Sequence, residues 1–326
     1  MRTLSANDFK MFEHIVTLKQ PALMKTMSTF LQRKYNKVIT TKEYIYAVGD
    51  IPVALVAHLD TVFTEVPKTI YFDSQKNVLW SPEGLGADDR AGVFAIIKLI
   101  RAGFKPHIIF TTDEEIGALG AVALIEQVPE AFAEMKYIIQ LDRRGTCDCV
   151  FYDCDNRDFV DYVEKFGFIE NYGSFSDISE ICPKWGIAGV NLSVGYQDEH
   201  SVAETLHIAP FLATVEKVAD MLRAADTAPS FKYIPNPYAY RWNWLQQSAW
   251  ETDGWFKCHK CKKSFTEYEL FPVKCLDGHT HFYCPDCVVD NVHWCTACTE
   301  AFEVTSGSKE ILCPDCQKKV KVKTDV

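Results

Sequence analysis

The sequence predicts an α/β fold with a mostly parallel sheet, and three observations predict it. Four apolar runs, at 51–57, 107–111, 137–141 and 187–194, are nearly continuous rather than alternating, the mark of strands buried on both faces. Helical patterns lie between and after them, at 91–102, 118–127, 159–166 and 210–224; strands that alternate with helices build a parallel sheet covered by helices. Hydrophobic residues make up 48% of 326, enough for packed cores and a length suited to two or three modules. The architecture expected is a three-layer sandwich around a mixed, mostly parallel sheet, followed by a small cysteine-rich β module.

Taken in order, residues 6–35 read as two helices broken at Pro21, and 37–48 as a β-hairpin turning near Thr41 and Lys42. The alternating strands and helices then fill a first domain, 1–225. Residues 226–256 change character: Pro235, Pro237 and seven tyrosines or tryptophans without clear periodicity mark a linker whose aromatic content favours packing on a neighbour. The cysteine-rich module occupies 257–326.

Charge and composition narrow the function. A net charge of −10 argues against a general nucleic-acid binder and suits a site rich in carboxylates that hold cations. No window approaches the eighteen or so apolar residues of a membrane span. Charged residues Asp8, Lys10, Glu13 and Lys19 interrupt the N-terminal region, so no secretion signal is read there and the expected location is the cytoplasm. In a reducing compartment clustered cysteines mean zinc rather than disulfides. Nine of the thirteen lie between Cys258 and Cys316. Cys147, Cys149, Cys154 and Cys182 have no ligand spacing and read as ordinary thiols.

Ligand-type side chains sit just past the predicted strands. His58 and Asp60 end the first, Asp113-Glu114-Glu115 follows the second, Asp142 ends the third, and His200 closes Tyr196-Gln-Asp-Glu-His after the fourth. Asp88 and Asp89 precede a helix. Each alone reads most simply as a cap or a solvated polar group, because acidic residues favour helix N-termini. Together they would be five coincidences at the carboxyl ends of strands, where open α/β sheets place their sites. Imidazole and carboxylate without cysteine are the ligands of a catalytic zinc that keeps open positions.

His58-Leu-Asp-Thr-Val, Gly86-Ala-Asp-Asp-Arg-Ala-Gly, Thr112-Asp-Glu-Glu-Ile-Gly, Leu141-Asp and the late His200 resemble the motif series of the co-catalytic zinc exopeptidases, over about residues 5–225. The resemblance implies a three-layer α/β domain with two Zn²⁺, replaceable by Co²⁺ or Mn²⁺. It implies that Asp88 bridges both metals, His58 and Asp142 complete one site, and Glu115 and His200 the other. Glu114 is then the general base that activates a metal-bridging water, Asp60 orients His58, and the Asp88–Asp89 peptide bond is cis. Only 57 residues separate Asp142 from His200, too few for the inserted domain of many relatives. That points to the single-domain aminopeptidases, although the Gly-Ala-Asp-Asp-Arg motif is closer to the tripeptidases. Gly173-Ser-Phe-Ser-Asp loosely resembles a substrate-side loop, which makes Ser176 and Asp177 candidates to line the pocket; the alternative is a helix N-cap.

In the tail, Cys258/Cys261, Cys284/Cys287, Cys295/Cys298 and Cys313/Cys316 are four C-x-x-C pairs. Two successive zinc ribbons, each a closed structural Zn²⁺ site, are the preferred reading. A cross-braced pairing that uses Cys275 and His281 with Cys295 and Cys298 resembles a RING-type module but leaves Cys313 and Cys316 without a role. The expected function is hydrolysis of peptide bonds, with the zinc tail as a docking surface for a protein partner or substrate. Two alternatives stay open: an amidohydrolase or deacylase on N-acylated substrates, and a catalytically degenerate scaffold with the zinc tail as adaptor.

Overall fold

The structure is a computed structural model that describes residues 3–128, 131, 134–236, 255–266, 270–275, 280–296, 301–305, 311–313 and 317. Most of the aromatic segment, along with His279, Cys298 and Cys316, lies outside the described residues. The chain divides into two compact units, Met1–Asn236 and Pro237–Val326.

The first unit opens with helices α1 (Ala6–Val16) and α2 (Gln20–Gln32). The break between them falls at 17–19 rather than at Pro21. Pro21 sits in the first turn of α2, where its missing N–H has no intrahelical partner to lose. The expected hairpin follows as β1 (Lys37–Thr40) and β2 (Tyr44–Val48), then β3 (Ile51–His58). Two short strands, β4 (Tyr71–Asp73) and β5 (Val78–Trp80), precede α3 (Ala87–Arg101) and β6 (Pro106–Thr111). Next come α4 (Leu119–Gln127), β7 (Tyr137–Arg143), β8 (Asp148–Val150), α5 (Arg157–Glu164) and β9 (Ile169–Glu170). The unit continues with α6 (Asp177–Trp185), β10 (Gly189–Ser193), β11 (Tyr196–Gln197), β12 (Thr205–His207) and α7 (Ile208–Ala224).

Eight strands form the main sheet in the order β1-β2-β6-β3-β7-β10-β8-β9. Its centre is parallel, β6 with β3, β3 with β7 and β7 with β10. The continuous apolar runs are explained by alternation between two cores. On β3, Val53, Leu55 and Ala57 join the larger core with α1, α2, α3 and α7, while Ala54 and Val56 join the smaller core with α4 and α6. Both faces are covered, so neither parity of residue can be polar until the strand ends. The candidate ligands accordingly stand at or just past the carboxyl ends of β3, β6 and β7. Downstream of α7 the chain still packs on this unit. Phe231 lies in the larger core, and Lys232 and Pro235 make bridges to Ile187 and Cys154.

A second sheet, in the order β11-β12-β5-β4, was not evident from the sequence. Its strands are two or three residues long, too short to show a period. The β11–β12 hairpin matters most, because His200 sits in its loop.

In the second unit, β13 (Trp255–Lys257) pairs with β14 (Ser264–Thr266). Four further strands, β15 (Phe271–Lys274), β16 (Thr280–Tyr283), β17 (Val292–Trp294) and β18 (Ala301–Glu303), form a sheet in the order β16-β15-β18-β17. A helix of about two turns, Pro285–Asn291, starts directly after Cys284. No helix among the described residues of either unit is long and apolar enough to cross a membrane.

Candidate metal centre

Five expected ligand residues from five segments meet at one place. His58 is the last residue of β3, Asp142 the last but one of β7, and Glu115 lies in the turn after β6. Asp88 stands where the chain enters α3. Gly86, at φ +65°, turns the chain into this helix, and Asp88 and Asp89 keep non-helical backbone angles, so the regular helix starts after them. The Asp88–Asp89 peptide bond is cis, as expected. Gly92 lets α3 press against the end of β7, since a Cβ there would lie 2.2 Å from the Leu141 carbonyl oxygen.

The two carboxylate oxygens of Asp88 face opposite clusters. Oδ1 lies 3.2 Å from His58 Nε2, which is also 3.5 Å from Asp142 Oδ1. Oδ2 lies 3.3 Å from His200 Nε2, itself 3.0 Å from Glu115 Oε2. His58, Asp88 and Asp142 form one group able to hold a metal ion, and Asp88, Glu115 and His200 a second. Ligands about 2.0–2.1 Å from a tetrahedral zinc are about 3.3–3.4 Å from one another, and the four separations scatter around that value. Hydrogen bonding accounts for the arrangement less well. A single Nε2 proton on His58 would have to serve Asp88, Asp142 and Glu114, whose Oε2 is 4.0 Å away. Glu115 Oε1 is buried with no hydrogen-bond partner. The donor set, imidazole with carboxylate, fits two divalent cations.

Electrostatics points the same way. Burial, reinforced by Asp142, Asp177 and Glu115, pushes the Glu114 carboxyl up to about 9. Burial and Asp88 push Asp142 to about 7. Burial and Asp142 hold Asp89 well above the usual carboxylate range. Hydrogen bonds that His200 donates to Asp88 and Glu115 raise it to about 11. Asp88 goes down, because the hydrogen bonds of His200 and His58 outweigh the opposing effect of burial, and Asp60 goes down for the same reason beside His58. A group of carboxylates this crowded ionises fully only beside cations, and bound divalent ions reverse the local balance.

A supporting layer holds the ligands. Asp60 Oδ1 meets His58 Nδ1 at 3.2 Å, and its Oδ2 accepts from Glu115 N at 3.1 Å. With a carboxylate at Nδ1, that nitrogen carries the proton and the Nε2 lone pair points to Asp88 and Asp142. Asn191 brackets Asp142, accepting from its N–H at 2.9 Å and donating to its carbonyl at 2.7 Å. Gln140 and Tyr196 donate to the Asp142 carboxylate at 3.1 and 3.2 Å. Ser176 and Asp177, candidates for lining the pocket, are 1% and 0% exposed. Ser176 caps α6 in a capping box with Ser179 and donates to Asp142 Oδ2 at 2.9 Å; Asp177 accepts from Thr111 Oγ1 at 2.6 Å. Both are buried: Ser176 meets the Asp142 ligand directly, and Asp177 meets Thr111 at the end of β6.

Sequence reasoning missed Glu204. It is fully buried and accepts from the backbone N–H groups of Gly86 and Asp88, the latter at 2.9 Å, so it holds the turn that presents Asp88. Its only sequence signal is its place four residues after His200, which reads as an ordinary polar position.

In the second unit Cys258, Cys261, Cys284 and Cys287 form a further group able to hold a metal ion. Cys261 Sγ and Cys284 Sγ are 3.8 Å apart, and Zn–S bonds of about 2.3 Å put tetrahedral thiolates about 3.8 Å apart. Burial pushes the Cys258 thiol up, but the backbone N–H groups of Cys261, Cys284 and Lys260 outweigh it and bring the thiol down to about 6. Cys295 and Cys313 share a small core with Phe302 and Val304, whereas Cys275 belongs to the neighbouring core and donates to Val273 O and Tyr283 OH.

No protein-family model and no curated protein matches the sequence. Solved structures match its fold. The aminopeptidase PepT of Bacillus cereus aligns with a TM-score of 0.55 at 14% identity, over 67% of this chain and 98% of that one. A tripeptidase of Staphylococcus aureus aligns with a TM-score of 0.53 at 12% identity, over 68% and 98%. At such identities the likeness is one of architecture: the chain has the α/β fold of these two peptidases.

Proposed function

We propose that the chain is a two-metal peptidase of the aminopeptidase type, with zinc as the native ion, acting in the cytoplasm. The observation that carries this reading is Asp88, whose two oxygens each face a separate histidine–carboxylate group. His58, Asp88 and Asp142 would hold one cation, and Asp88, Glu115 and His200 the other. When bound, such a pair supplies Lewis acidity toward a scissile carbonyl and acidifies water near neutral pH.

The chain's own residues would do the rest. Glu114 lies against the first group but has no place in either set. Its carboxylate would take a proton from the attacking water at an oxygen and deliver it to the departing amine nitrogen. Asp60 would keep His58 in the tautomer that offers Nε2. Ser176, Gln140 and Tyr196 would fix the Asp142 carboxylate and Asn191 its backbone, and Asp177 would fix the strand ends around it. Cleavage from the amino end is what the motif series implies for this site. In the second unit the four-cysteine group would hold a structural Zn²⁺, with a second at Cys295, Cys298, Cys313 and Cys316, and the module would dock a protein partner or substrate.

Glu114→Gln tests the reading. Turnover of an N-terminally unblocked peptide library, followed by mass spectrometry, should fall by roughly 10²–10⁴-fold, while elemental analysis finds the same metal content as in the wild type. Wild-type activity in this variant would remove Glu114 from the base role.

A further inference from the structure

The second metal group depends on a loop that the sheet does not hold. His58 and Asp142 are anchored in central strands, and His58 is 1% exposed. His200 instead sits in the loop between β11 and β12, with its side chain 52% exposed. The loop carries two non-glycine residues in the left-handed region, Asp198 at φ 54° and His200 at φ 61°, a conformation that persists only when the surroundings over-determine it.

Several contacts do so. Ser201 Oγ donates to Asp198 O at 2.7 Å and accepts from Ala203 N at 3.2 Å, which closes the loop on itself. Glu204, at its far end, grips the Asp88 turn. At its near end Glu199, next to His200, pairs with Arg144, whose Nη1 lies 2.8 Å from Glu199 Oε1. Arg144 follows Asp142 by two residues, and Gly145 N donates to Tyr196 O at 2.9 Å, binding the same turn to β11. The Glu199 side chain is 18% exposed, and among the described residues its Oε2 has no hydrogen-bond partner while its Oε1 pairs with Arg144.

We infer that Arg144 is a positioning residue for the second metal: its ion pair with Glu199 links the turn after one metal ligand, Asp142, to the loop that presents another, His200. The inference rests on the two-metal reading above. Metals should then bind in two steps. The buried group of His58, Asp88 and Asp142 fills first, and the group completed by His200 fills second, with an affinity set in part by Arg144. Removing the guanidinium leaves the first step alone and weakens the second.

Mn²⁺ is the appropriate probe, because it favours carboxylate and imidazole over thiolate and leaves zinc in the cysteine sites. Metal content at the first unit is followed by electron paramagnetic resonance as the full-length chain is titrated. The wild type should take up two Mn²⁺ in two steps, the second giving the spin-coupled signal of a close pair. Arg144→Met and Glu199→Gln should each weaken the second step by about fivefold, the upper end for a partly exposed ion pair, and leave the first unchanged. The charge-swapped double variant R144E/E199R should recover most of the loss. An unchanged second step, or an equal loss at both steps, would overturn the role of Arg144. No uptake by the wild type would instead remove the two-metal reading, and this inference with it.

Discussion

Gly92 cannot gain a methyl group without moving its neighbours: a Cβ would sit 2.2 Å from Leu141 O and 2.4 Å from Asp89 Oδ1. Asp89 in turn accepts from the N–H groups of His58 and Gly92 at 3.2 and 3.0 Å. Gly92→Ala should therefore destabilise the first unit by roughly 1–3 kcal/mol, the usual range for overpacking; urea unfolding measures it, and an unchanged midpoint would show that α3 is free to shift. At this scale the motifs were legible because their residue types are chemically unusual where they stand. His58 and Asp142 each place a polar side chain at the end of an apolar run, and Asp88, Glu115 and His200 lie in motifs just beyond such runs. Glu204 and Asn191 were not legible. Both act through backbone N–H and C=O groups, and nothing in an amino-acid type announces which distant amide it will hold.

At the scale of elements, burial itself has a measurable consequence in β6. His107 is 2% exposed and accepts from Gly49 N at Nδ1, 3.2 Å away. Burial pushes its imidazole down to about 4 from an ordinary 6.5. As pH falls from 6.5 toward 4, the unfolded chain takes up this proton before the folded one, so the stability that His107 lends at neutral pH is lost across that window, up to about 3 kcal/mol. His107→Asn keeps an acceptor for Gly49 and removes the titration. Its unfolding free energy should fall less steeply between pH 6.5 and 4 than that of the wild type; parallel curves would contradict the buried neutral imidazole. The central strands could be read from the sequence because both faces are apolar, which no amphipathic helix reproduces over so few residues. The small β11-β12-β5-β4 sheet could not, since strands of two or three residues are defined by their partners. Pro21 misled for a related reason: proline marks both the gap between helices and the first turn of one, and only the caps tell the two apart.

At the scale of the whole molecule, the chain joins a unit with two extensive cores to one whose cores are small and rich in cysteine. A core of that size does not hold a fold without metal. Replacement of Cys313 by serine should lower the zinc content by one and leave residues 255–326 open to proteolysis, without shifting the thermal transition of the first unit. Unchanged zinc would favour the cross-braced pairing, in which Cys313 is no ligand. In the first unit, anomalous X-ray scattering at the zinc edge from crystals of the metal-loaded chain would locate the two cations. Two peaks should flank the Asp88 carboxylate, one beside His58 and Asp142 and the other beside Glu115 and His200. Zinc at the cysteine groups with no peak at Asp88 would contradict the two-metal reading.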